Sequence, residues 1–267
     1  MIRVEAIHKR FGDVVAIDAI SFTARDGEVT ALLGPNGAGK TTTLRILTGV
    51  MLPDRGAAVV DGVDTATSPE AARRRVGLLS DQRGLYTRLT TRENVRYFGR
   101  MHGLGGAPLE ARMDELFAVL DMRAIADRRV EGFSLGERLK VALARALVHD
   151  PSNVLLDEPT AGLDVMTTRA LRLMVRRLRG EGRCVILSSH VMQEVEELCD
   201  RIVVVVAGRV AADATPEGLR AATGEASLEE AFVRLVGGDA PEDGARRGEA
   251  RPFAGAPRAG GAEGGEP

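Results

Sequence analysis

The spacing of apolar residues changes period several times along the chain, and each change marks an element. The opening 1-MIRVEAIHKRFG-12 alternates loosely and turns. The next two apolar runs, 14-VVAIDAISFTA-24 and 28-EVTALLG-34, read as strands parted by the turn Arg25-Asp26-Gly27. In 41-TTTLRILTGV-50 the period becomes helical, with Leu44, Ile46 and Leu47 on the spacing, and Pro53 with Gly56 closes the segment. A short strand pair is expected over 57–64, a helix around 69–76 and a strand over 76–80. From Thr90 to His149 the pattern is helical, with helix starts near Thr91 and Asn94 and two long amphipathic stretches, 109–122 and 136–149. Strands at 153–157, 183–189 and 201–208 then alternate with helices at 167–180 and 191–200. Apolar strands alternating with helices predict a buried, mostly parallel sheet, so the fold class is α/β with an antiparallel β beginning and an inserted helical subdomain.

Composition changes this picture at one place. From Gly238 onward the chain is Gly, Ala, Pro, Arg and Glu, with Phe253 the single large apolar residue, and such a segment cannot bury enough surface to order itself. The organisation expected is one domain over 1–237, with its core at 1–84 and 150–237 and a helical subdomain at 85–149, followed by a disordered tail over 238–267. A net charge of -2 on 267 residues gives no basic surface for nucleic acid. The longest aliphatic run, 202-IVVVVA-207, is too short for a bilayer, and no charged-then-apolar segment opens the sequence, which points to a cytosolic protein. Cys184 and Cys199 lack CxxC spacing and are expected as reduced core residues. Of 36 basic residues only Lys9, Lys40 and Lys140 are lysines, so Lys40 stands out.

Lys40 belongs to 34-GPNGAGKT-41, which fits the phosphate-loop pattern GxxxxGK[ST] between an apolar strand and a helix. Gly34, Gly37 and Gly39 allow successive N–H groups of the loop Gly34, Pro35, Asn36, Gly37, Ala38, Gly39 to face one anion, helped by the helix N-terminus. Lys40 is a compact charge able to reach the β and γ phosphates, where the broader guanidinium of arginine would not thread. Thr41 is placed to offer a hydroxyl to Mg²⁺, and Thr42 lies near the α or β phosphate. In 154-VLLDEP-159 an apolar strand ends in two carboxylates. Asp157 suits holding the magnesium, and Glu158 suits orienting a water for attack on the γ phosphate.

With these motifs in order, followed by FSLGE at 133–137, LLDEPTAGLD at 155–164 and ILSSH at 186–190, the chain resembles the ATP-binding subunits of ABC transporters over roughly residues 2 to 237. The resemblance implies a phosphate-loop NTPase with a RecA-like core, and ATP held between two nucleotide-binding subunits, as a homodimer or paired with another such subunit. Ser134 and Gly136 would contact the γ phosphate bound by the opposite subunit's loop, Asp164 would cross the interface, and His190 would contact the γ phosphate of its own subunit. Phe11 stands where the family places an aromatic ring against adenine. Where the family has glutamine after the strand at 76–80, this sequence has Asp81 and then Gln82, so Asp81 becomes the candidate metal ligand there. The stretches 84–104, 189–202 and 227–237 resemble exporter ATPases, particularly the sodium-extrusion branch. That branch implies a separate membrane permease as partner, a peripheral place on the inner face of the membrane, and sodium ions or drugs as cargo. A soluble ATPase of the family and a nucleotide-dependent scaffold without turnover are the other readings the sequence leaves open.

Overall fold

Six strands carry the core of the computed structural model, which describes residues 1–80 and 84–237. They are β3 (Val29–Leu33), β6 (Val76–Leu79), β7 (Asn153–Asp157), β8 (Cys184–Ser189), β9 (Arg201–Val206) and β10 (Arg209–Ala214), in the spatial order β10-β9-β3-β8-β7-β6. All neighbours pair in parallel except β10, which runs antiparallel to β9. β3, β7 and β8 are buried along their whole length, which is why they read as continuous apolar runs. Their side chains divide between two cores with the period of two that a strand imposes: Ala31, Leu33, Val154 and Leu156 on one face, Leu32 and Leu155 on the other.

The second sheet is antiparallel and four-stranded, in the order β2-β1-β4-β5, from β1 (Ile2–Phe11), β2 (Val14–Ala24), β4 (Arg55–Val60) and β5 (Val63–Asp64). Its inner face shares a core with α1 (Lys40–Leu47) and the underside of the parallel sheet. The Asp18 N–H donates to Gly208 O at 2.7 Å and the Asp18 carboxylate accepts from Arg209 at 2.8 Å, tying β2 to the β9–β10 turn. Three helices lie in sequence between β6 and β7: α3 (Thr91–Met101), α4 (Gly106–Val119) and α5 (Leu135–Leu147). The short α2 (Pro69–Arg73) leads into β6, while α6 (Val165–Gly180), α7 (Met192–Leu198), α8 (Pro216–Thr223) and α9 (Leu228–Gly237) complete the core. The fold is therefore the expected α/β architecture.

Three local differences have physical causes. α4 begins at Gly106 rather than 109, because Pro108 is tolerated in a first turn. It also stops at Val119, where Asp121 turns into the left-handed region (φ 49°) and Met122 N bonds back to Phe117 O at 2.9 Å. Leu120 and Met122 are buried by that turn rather than by a longer helix. α3 begins at Thr91, as expected, and its N-cap Thr90 forms a reciprocal capping box with Glu93. β10 was not anticipated: its small alternating residues pair with β9 across Ala207 and Gly208, both with positive φ, a hairpin turn matched to strand twist.

Where α3 and α5 end, His102 and His149 stack face to face, with ring centroids 3.6 Å apart and an interplanar angle of 4°. His149 Nε2 lies 3.1 Å from Val76 O. Burial, and next the neighbouring His102, lower the His149 pKa to about 4. The unfolded chain binds this proton near pH 6.5, so stability is complete above that value and is lost as the pH falls toward 4. Denaturant unfolding should show a loss on the order of 3 kcal/mol across this window. His149→Phe, which preserves the stack, should flatten it.

Candidate active site

β7, β8 and β3 are adjacent and parallel, so whatever follows their C-terminal ends is gathered on one edge of the sheet, where open α/β folds bind ligands. Register sharpens the convergence. Leu33 pairs with Ser189, and Asp157 with Ser188, so the phosphate loop, the two carboxylates and His190 leave the sheet nearly level with one another.

The loop 34–39 connects β3 directly to α1. Gly39 has φ 105°, and a Cβ there would stand 2.6 Å from Ala16 O of β2, so the position excludes other residues twice over. Among the described residues no side chain caps α1, and no acidic residue occupies its first turn, which leaves the first N–H groups of the helix to an anion. Lys40 is buried, and its ammonium donates to Gly34 O at 2.7 Å and Pro35 O at 3.2 Å. The same Nζ lies 3.7 Å from Glu158 Oε1. Around this loop the chain thus holds a folded-back cation beside free backbone donors, a cradle suited to a polyphosphate. Thr42 is half-buried in the first turn of α1, behind Thr41.

Thr41 Oγ1 donates to Asp157 Oδ1 at 3.3 Å, and Ser188 Oγ donates to the same oxygen at 2.6 Å. A hydroxyl and a buried carboxylate held this close are hard oxygen donors of the kind magnesium takes, so the residues fit that ion. Glu158 adopts φ 46°, a conformation that costs a non-glycine residue about 1–3 kcal/mol. Its N–H is held by Ser188 O at 3.2 Å and Ser188 Oγ at 3.0 Å, which fixes the turn. The Glu158 carboxylate meets His190 Nδ1 at 2.8 Å on one side and Lys40 on the other. Glu158, His190 and Lys40 are therefore brought together, whereas Asp81 lies outside the described residues.

Ser188 is not singled out by the sequence alone, although it touches the Asp157 carboxylate and holds the Glu158 backbone N–H. Its signal was present: two serines at the buried end of an apolar strand, directly before a histidine. Glu194 and Thr160 were missed as well, and they bond to each other at 2.7 Å behind His190.

Among the described residues, the remaining candidates Ser134, Gly136, Asp164 and Phe11 make no hydrogen bond to this cluster. Ser134 caps α5, accepting from Glu137 N at 3.2 Å while the Glu137 carboxylate accepts from Ser134 N at 2.9 Å. Glu137 thus closes a capping box. A Cβ on Gly136 would stand 2.8 Å from Thr167 Oγ1, which the Asp164 carboxylate accepts at 2.7 Å, so the segment 134–136 packs on the start of α6. Among the described residues, the Ser134 hydroxyl bonds to Glu137 N and makes no hydrogen bond to its own phosphate loop. Phe11 is half exposed at the end of β1, opposite Val14, and both lie two or more residues before Ala16, the β2 residue that touches Gly39. The hairpin end carrying Phe11 and the exposed Val14 and Val15 is thereby placed beside the loop.

Fold and site together define a phosphate-loop domain that binds and hydrolyses ATP. The family model described as "ABC transporter" matches residues 17–161. The ABC transporter ATP-binding protein NatA of Bacillus subtilis (strain 168) is 43% identical over 215 residues, 79% of this chain and 87% of its own. The daunorubicin resistance ATP-binding protein DrrA3 of Streptomyces coeruleorubidus is 40% identical over 223 residues, 84% of this chain and 71% of its own. A solved ATP-binding subunit of an ABC transporter superposes with a TM-score of 0.82 at 31% identity, covering 88% of this chain and 99% of that one. The chain belongs to the ABC transporter family, as an ATP-binding domain.

Proposed function

We propose that the chain is the ATP-hydrolysing subunit that energises export through a separate membrane permease. The observation that carries this reading is the meeting of the phosphate loop, Asp157, Glu158 and His190 at the ends of three neighbouring strands, in a chain related to exporter ATPases. Lys40 leaves its backbone carbonyls for the β and γ phosphates of ATP, and the free N–H groups of α1 receive the phosphate oxygens. Thr41 and Asp157 would hold magnesium, which would supply positive charge to offset that of the phosphates. Once Lys40 has moved to the phosphates, Glu158 is freed to polarise the attacking water, and His190 holds the Glu158 carboxylate and the γ phosphate. Phe11 lies against the adenine.

Ser134 and Gly136 point to a second copy of the domain. Ser134 presents itself at the exposed N-terminus of α5, an end with dipole and hydroxyl suited to phosphate, yet with no phosphate loop of its own to serve. The reading is an ATP sandwich across a two-fold axis, each site completed by the partner, which closes on binding and opens after hydrolysis. Asp164 lies on that interface, and the domain extends over 1–237.

The permease surface is proposed on the helical insertion. Tyr86, Tyr97 and Phe98 form a cluster, with edge-to-face centroid distances of 5.4 Å, and both tyrosines are half exposed. Buried Asn94 pins the turn beneath them, bonding Tyr86 N at 3.1 Å and Tyr86 O at 3.0 Å. Among the described residues no helix is long and apolar enough to cross a membrane, so attachment to the inner face of the membrane runs through the permease. A drug is the cargo class suggested by the daunorubicin resistance relative, and sodium ions the one implied by the resemblance to the sodium-extrusion branch; selection lies with the permease.

The test is ATP turnover by the full chain alone and reconstituted in vesicles with a cognate permease. Turnover that rises with the permease, and loses the rise in Tyr97→Ala while nucleotide affinity holds, is the expected result. A chain that binds ATP and never hydrolyses it would favour the scaffold.

A further inference from the structure

Glu194 has no part in the roles assigned above, yet it is among the most unusual groups near the site. It is 4% exposed in the first turn of α7, on the same buried face as Val195 and Leu198. Among the described residues it forms no ion pair. A carboxylate buried without a cation is unfavourable, and only hydrogen bonds offset that cost. Both of its hydrogen bonds reach one atom: Oε2 accepts from Thr160 Oγ1 at 2.7 Å and from Ser189 Oγ at 3.3 Å.

These two donors belong to the two segments whose side chains meet in the site. Thr160 follows Glu158 by two residues and begins the turn that runs to Asp164 at the head of α6. Ser189 immediately precedes His190 and also accepts from Val191 N at 3.0 Å, so its hydroxyl is oriented in both directions. One oxygen of Glu194 therefore joins the hydroxyls of a residue two positions after Glu158 and of the residue before His190, the pair whose Oε2–Nδ1 contact is 2.8 Å. His190 itself is largely exposed, with 59% of its side chain accessible, so neighbouring packing alone does not fix its ring.

We infer that Glu194 is a positioning residue: by joining Thr160 to Ser189 it sets the Glu158–His190 contact and links that contact to the turn ending at Asp164. The inference rests on the reading of Glu158 and His190 as the reacting pair. Asp164 lies on the surface proposed to face the second copy, so the Glu194 bridge is also a route by which closure of the dimer reaches His190. Since a single oxygen accepts both bonds, glutamine can replace glutamate: its amide oxygen occupies the Oε2 position, and the two hydroxyls donate as before. Leucine fills similar space and accepts nothing.

The full chain without nucleotide gives the first readout, the imidazole resonances of His190 at fixed pH, identified by their disappearance in His190→Ala. Glu194→Leu and Thr160→Val should move them to the positions seen in Glu158→Ala, where the contact is absent, and Glu194→Gln should leave them at the wild-type positions. Turnover gives the second. Glu194→Leu should lower kcat roughly 10- to 100-fold, with KM for ATP kept within about twofold. Glu194→Gln should recover most of that loss, and in the His190→Ala background Glu194→Leu should add no further loss. Unchanged His190 resonances in Glu194→Leu would overturn the inference. So would losses that multiply with His190→Ala, or a Glu194→Gln as impaired as Glu194→Leu. Wild-type chain that hydrolyses no ATP would instead count against the proposed function, and the resonance comparison would still decide the role of Glu194.

Discussion

Glu158→Gln lowers ATP turnover by about 10³-fold, while ATP affinity stays near that of the wild type. The expectation follows from where the residue sits. Its side chain is 18% exposed, faces the Lys40 ammonium at 3.7 Å and meets His190 at 2.8 Å, and its backbone is held at φ 46° by Ser188. Glutamine keeps the volume, the hydrogen-bonding shape and the backbone contacts to Ser188, so the fold and the loop persist. It cannot accept the proton of an attacking water, so the chemical step is what fails. Binding is carried by the loop, the α1 N-terminus and Lys40; of these the substitution alters only the 3.7 Å contact with Lys40, which is given up in any case when Lys40 moves to the phosphates. Phosphate release under single-turnover conditions, set beside a binding isotherm, separates the two effects. A variant that keeps turning over would transfer the role of base to another group.

Lys40→Arg carries the second large effect, in binding rather than chemistry. Nζ is enclosed, with 7% of the side chain accessible, and donates to two backbone carbonyls of its own loop. A compact ammonium can swing from those carbonyls to phosphate oxygens without disturbing the loop. A planar guanidinium is wider than the space and must push the loop open or stay outside it. Affinity for ATP should fall roughly 10- to 100-fold, the worth of charge-assisted hydrogen bonds to the phosphates. Lys40→Met removes the charge at similar length and should fall at least as far. If Lys40→Arg bound ATP normally while Lys40→Met did not, charge alone would be the requirement and the steric account would fail.

The two effects bear differently on what a sequence can disclose. The phosphate loop and the Asp157–Glu158 pair were legible because their chemistry is local: a glycine turn, a lysine and a helix start are consecutive, and the carboxylates follow their strand directly. The parallel core was legible because β3, β7 and β8 are buried on both faces and so read as unbroken apolar runs. β10 was hidden because its residues are small and half-exposed, and only the Ala207-Gly208 turn announces it. Ser188 and Glu194 were hidden for another reason. Each acts by touching a residue about 30 positions away, and the adjacency arises only when β7 and β8 pair. Strand order cannot be read from periodicity, so such contacts stay invisible until the sheet is assembled. Ser134 is the reverse case: its capping box with Glu137 is local and readable, and it accounts for the serine without any nucleotide. What the fold adds is that, among the described residues, this hydroxyl makes no hydrogen bond to the phosphate loop of its own chain.

The central claim, that each ATP site is half of one chain and half of another, is tested most directly by mixing two crippled variants. Lys40→Ala lacks the phosphate-binding half and Ser134→Arg blocks the completing half, so neither alone should hydrolyse ATP above background. In a mixed dimer one site combines an intact Lys40 loop with an intact Ser134, and the other carries both lesions. The account predicts that mixing equal amounts, with the permease present if the free subunit requires it, restores turnover that neither variant shows. A mixture as inactive as its components, with dimers shown to exchange, would contradict it, and full activity of Ser134→Arg on its own would do so more simply.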